Sequence, residues 1–102
     1  MTVVLNFHQP ERVDVVVDGV ADGSLVTRMI ADVRRVFRHI VGGWRVSLQP
    51  SARGRWRLEL SGPSGRHVWV FAATPLRLPA VVVEKLELFL RESATAWRPL
   101  PV

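Results

Sequence analysis

Three histidines, His8, His39 and His67, are the candidates for proton transfer near neutral pH. They lie far apart along the chain, and no GxSxG, HExxH or P-loop pattern accompanies them. The nearest approach, Gly62-Pro63-Ser64-Gly65, has the composition of a turn. Catalysis needs a nucleophile, a base and oxyanion donors that converge, and nothing in the sequence assembles such a set, so no enzyme is expected. Asp14, Asp18 and Asp22 recur at every fourth position and carry the oxygens that Ca²⁺ or Mg²⁺ prefers. Their spacing is not that of an EF-hand loop, and the expectation is a solvated acidic turn with no metal and no cofactor. The chain has no cysteine, which excludes disulfides and thiolate metal sites.

The chemistry the sequence does hold is that of arginine. Lys and Arg number 14 against 9 acids, giving a net charge of +5, and 13 of the 14 are Arg. Charge is uneven: residues 1–32 carry net −3, residues 33–77 net +8 and residues 78–102 net 0. Arg45, Arg53, Arg55, Arg57 and Arg66 lie in the basic middle. Guanidinium groups beside the rings of His67, Trp69 and Phe71 would form a stacking surface for single-stranded nucleic acid, with arginines following the phosphates. A GC-rich genome would also raise Arg over Lys, so the basicity by itself does not define a partner.

These side chains need elements to carry them. The chain has 102 residues, 48% of them hydrophobic, with mean hydropathy +0.16, which suits one compact domain. Alternating Val3, Leu5, Phe7 and then Val13, Val15, Val17 predict two strands joined by a turn over residues 8–12. From Ser24, read as the helix cap, Leu25, Val26, Met29, Ile30, Val33, Val36, Phe37, Ile40 and Val41 recur at helical spacing until Gly42-Gly43. Trp44, Val46, Leu48, then Trp56, Leu58, Leu60, then residues 67–73 predict an antiparallel meander. A second helix is expected from Pro79 to about Ser93, with Val82, Val83, Leu86, Phe89 and Leu90 as its core stripe. Residues 94–102, with Trp97, Pro99 and Pro101, read as an extended strap.

The expected fold is therefore α+β in the order ββαβββα, two helices covering one face of a mostly antiparallel sheet. The last five elements share their order with double-stranded RNA-binding domains. Those domains place a lysine cluster at the start of the last helix, where this chain reads Leu78-Pro79-Ala80-Val81-Val82-Val83-Glu84-Lys85. The sequence therefore carries the order of elements without the motif.

The strand at residues 67–73 is apolar on both parities. If Val68, Val70 and Ala72 face the helices, then His67, Trp69 and Phe71 share the other face with the arginines, and something besides the helices must cover them. Val81 and Leu88 lie about 200° around the second helix from the centre of its core stripe, at 100° per residue. The preferred expectation is a non-enzymatic interaction module that meets another copy or another protein through Trp69, Phe71, Val81, Leu88 and Trp97. The alternative is nucleic-acid binding through Arg45, Arg53, Arg55, Arg57 and Arg66. No run of about 18 apolar residues is present and the N-terminus lacks a signal-peptide pattern, so a cytoplasmic location without membrane insertion is expected.

Overall fold

A computed structural model describes residues 11–40, 42–63 and 65–97. The alternation of Val13, Val15 and Val17 forms β1 (Glu11–Val17), whose valines at these positions are half-buried against the core while Asp14 and Val16 point outward. The first expected strand, residues 3–7, and residues 8–10 of the expected turn lie outside the described residues, while Glu11 and Arg12, read as part of that turn, belong to β1. β1 pairs with β2 (Gly42–Pro50), in parallel, with Val13 opposite Trp44 and Val15 opposite Val46. Parallel neighbours require a crossover, and α1 (Gly23–Val36) supplies it.

Asp22, not Ser24, caps α1. Its carboxylate accepts from the Ser24 and Leu25 N–H groups at 2.9 and 3.4 Å and from the Ser24 hydroxyl at 2.6 Å, so Ser24 is consumed as a donor. These bonds to Ser24, side chain first and then backbone, followed by that from the Leu25 N–H, hold the Asp22 carboxyl below its ordinary value of 3.8. The unfolded chain therefore takes up this proton first. The cap's contribution is complete at neutral pH and is lost as the pH falls through the folded-state value. Asp22→Ala is expected to melt below the wild type at neutral pH, and the gap should narrow in strong acid. Thermal melts across that range test this.

α1 stops at Val36, short of the expected Val41. Phe37, Arg38 and Ile40 donate backbone N–H groups to Val33, Arg35 and Phe37, so the chain tightens into a turn while Phe37 stays buried. β3 (Arg55–Gly62) and β4 (Gly65–Ala72) complete the meander, each antiparallel to its predecessor, in the spatial order β1-β2-β3-β4. The β2–β3 connection passes through a 3-10 turn at Ala52–Gly54, where Arg53 adopts φ 59°. At Gly62 there is room for no side chain: a Cβ would lie 2.2 Å from the Trp44 ring, opposite it on β2.

α2 spans Leu78–Trp97, with Pro79 in its first turn. It continues four residues into the segment read as a strap, and residues 98–102 lie outside the described part. Met29 and Val33 from α1, Phe37 from the turn that ends it, Val46, Leu48, Leu58 and Leu60 from the sheet, and Leu78, Val82 and Leu86 from α2 make one buried cluster. The fold is α+β, with both helices on one face of a mostly antiparallel sheet.

Candidate functional site

Cross-strand register decides which side chains share the sheet face that the helices leave open. Residues directly opposite one another point the same way. Three rows result. Asp14, Arg45, Ser61 and Arg66 form the first, and Val16, Ser47, Glu59 and Val68 the second. Gln49, Arg57 and Val70 form the third, with Arg55 and Ala72 beyond it.

Glu59 sits centrally in this face. It forms an ion pair with Arg66, 2.7 Å from its Nε, and accepts a hydrogen bond from an Arg57 terminal nitrogen at 3.5 Å. One carboxylate thus holds two of the arginines that the sequence singles out. Arg57 Nε is buried and has no hydrogen-bond partner. Arg45 and Arg55 are exposed on the same face, while Arg53 stands apart at the exposed β2–β3 turn. The expected arginine cluster therefore gathers four of its five members on one surface. On α1, Asp32 takes contacts from Arg28 at 3.8 Å and Arg35 at 3.2 Å, so one carboxylate offsets part of the charge of the two arginines.

The rings fall on the opposite side from the one expected. Trp69 pairs with Leu58, His67 with Leu60 and Phe71 with Trp56, and these partners belong to the core-facing parity of β3. Trp69 and Phe71 are half-buried against the core, and Phe89 of α2 lies 5.9 Å from the Trp69 ring and 5.2 Å from the His67 ring. Lys85 Nζ stands 5.2 Å above the Phe71 ring. Val68 and Val70 therefore face outward, 37% and 52% exposed. The physical reason is size: an aromatic ring removes far more apolar area from water than a valine does, and α2 offers Phe89 as a partner. The arginine face consequently has no described aromatic ring on which a base would stack.

A second surface lies where β4 ends the sheet. Among the described residues β4 pairs on one side only, with β3. From His67 to Ala73 it carries no Lys, Arg, Asp, Glu or Pro, the residues that usually blunt an edge. Leu88, 51% exposed, and half-buried Val81 lie on the α2 flank that runs beside this edge. That flank is fixed by its neighbours. Lys85, 60° from Leu88 around the helix, reaches Phe71, whereas Pro79, Ala80, Val83 and Glu87 line the opening toward α1. Of the expected interface residues, Val81 and Leu88 lie on this flank, whereas Trp69 and Phe71 lie on the inner face of β4, against Phe89 and Lys85 of α2. Trp97 is the last residue of α2, and its side chain lies outside what is described. The sequence shows no sign that the edge and the flank adjoin, because strand order is not written in periodicity.

The remaining candidates are scattered. His8 lies outside the described residues, and His39 is exposed in the turn after α1. Asp14, Asp18 and Asp22 are exposed, and no group of three potential metal ligands occurs among the described residues. No described helix is long and apolar enough to cross a membrane. No protein-family model matches the chain, and no curated protein matches it.

Proposed function

We propose that this chain is a non-enzymatic interaction module that self-associates through the side of the fold formed by the β4 edge and the adjoining flank of α2. One observation carries the reading: among the described residues β4 ends the sheet, uncharged from His67 onward, and Leu88 is exposed on the α2 flank from which Lys85 reaches Phe71. An edge of this kind offers a row of free backbone donors and acceptors to another chain. Burial of Val68, Val70 and Leu88 adds the apolar driving force, at about 25 cal/mol per Å². The arginines held by Glu59 flank this surface and orient an approaching chain through charge-assisted bonds.

Sedimentation velocity at high micromolar concentration tests the reading. The wild type is expected to dimerise reversibly, and Leu88→Glu to weaken the dimer by about tenfold or more, the loss of roughly 1.4 kcal/mol or more at a central contact. Position 88 is exposed, so the variant's own fold should change by about 0.5 kcal/mol or less. A wild type that stays monomeric overturns the proposal. The rival reading, nucleic-acid binding on the arginine face, makes a separate demand. Oligonucleotide affinity would fall steeply with salt, and Arg57→Ala would reduce the slope of log affinity against log salt by roughly one unit.

A further inference from the structure

We infer that the partner at this edge is β4 of a second copy, paired antiparallel about a two-fold axis that passes beside Trp69 and Leu88 and joins two four-stranded sheets into one of eight strands. The inference rests on the self-association proposed above and adds its partner segment and register.

Contacts between strand and helix locate the axis. Phe89 stands over Trp69 and His67, and Lys85 over Phe71, so α2 runs opposite in direction to β4. Leu88, next to Phe89, is therefore level with Trp69. A two-fold interface presents the same patch from both copies, so its axis must pass through a point where both elements are self-complementary. At Trp69 the strand satisfies this. Val68 then stands opposite Val70 of the other copy and Arg66 opposite Ala72, so four valines adjoin on the open face and no like charges meet. The helix satisfies it at the same level. Leu88 meets Leu88, and Lys85 comes within one residue step of Glu92 of the other copy, which lies only about 20° from it around the helix, whereas Arg91, level with Lys85, points about 120° away. One axis thus accounts for the exposed valines of the strand and the exposed leucine of the helix, which lie on different layers of the fold.

Residues in direct opposition across strands have Cβ atoms about 4.5–5.5 Å apart and diagonal ones about 7–8 Å, and a disulfide needs about 3.5–4.5 Å. The chain contains no cysteine, so introduced ones report without background. Val68→Cys and Val70→Cys chains, both altered at exposed positions, are mixed in equal amounts and mildly oxidised, with sedimentation run on the same samples before oxidation. The expected result is that the two variants cross-link to each other at least about tenfold faster than either does to itself. A dimer with no preference for the mixed cross-link overturns this register and axis and leaves the self-association standing. A monomer overturns both.

Discussion

Leu58→Ala is expected to cost about 2–5 kcal/mol of folding stability, out of a total that for a domain is typically about 5–15 kcal/mol. Leu58 is fully buried, between Leu48 on β2 and Trp69 on β4, in the cluster that both helices close. Truncation there removes transfer free energy and leaves a cavity, because α1, α2 and the sheet contact one another around it and cannot all collapse inward. The measurement is urea unfolding, in which the midpoint should fall while the slope stays fixed. Val70→Ala supplies the control from the same sheet. Its side chain is 52% exposed on the open face, so a change of about 0.5 kcal/mol or less is expected in the monomer. A larger loss at Val70 than at Leu58 would mean that the sheet faces are assigned the wrong way round.

The contrast between these positions also marks how far the sequence could be read. For β2 and β3 the alternation is unambiguous: Val46, Leu48, Leu58 and Leu60 are buried, and the intervening Arg45, Ser47, Arg57 and Glu59 are not. α1 is legible for the same reason, through Met29 and Val33. Its ends are not. Asp22 and Ser24 are both good caps by type, and only geometry shows the carboxylate accepting from Ser24. At the other end, apolar spacing continues through Phe37 and Ile40 although the backbone has already tightened into a turn, because packing requires the side chains to recur and not the hydrogen bonds. The parallel partnership of β1 with β2 has no local signature at all, since periodicity reports faces and not neighbours.

The orientation of β4 is set by its turn and not by its own residues. With both parities apolar, a strand gives no alternation to read. A two-residue connection between Gly62 and Gly65, however, fixes the register of everything before and after it, and their pairing places Leu58 opposite Trp69. Once Leu58 is taken as core, Trp69 must be too. Assigning Val68 and Val70 to the core instead is equivalent to a one-residue slip, which moves every side chain of the strand to the other face. The aromatic ingredient of the nucleic-acid reading disappears with that correction, whereas the exposed edge acquires its valines by it.

Trp69→Ala turns this difference into a number. A tryptophan ring on the open face would be dispensable to the fold, with a change of about 0.5 kcal/mol or less. Held between Leu58 of β3 and Phe89 of α2, it should cost about 2–4 kcal/mol, somewhat under the about 3–5 kcal/mol of a fully enclosed ring because Trp69 is only half-buried. The Trp69 and Phe89 rings meet edge to face, 88° apart in plane, the arrangement in which the positive edge of one ring meets the negative face of the other. A double-mutant cycle with Phe89→Ala should therefore show a coupling of about 0.5–1.5 kcal/mol. Both measurements belong at low protein concentration, where association does not add to the stability of the native state. Strong coupling would establish that α2 is fastened to β4 from inside, which keeps Leu88 level with the edge. A weak effect at both positions would free the helix from the strand and remove the common axis on which the eight-stranded assembly depends.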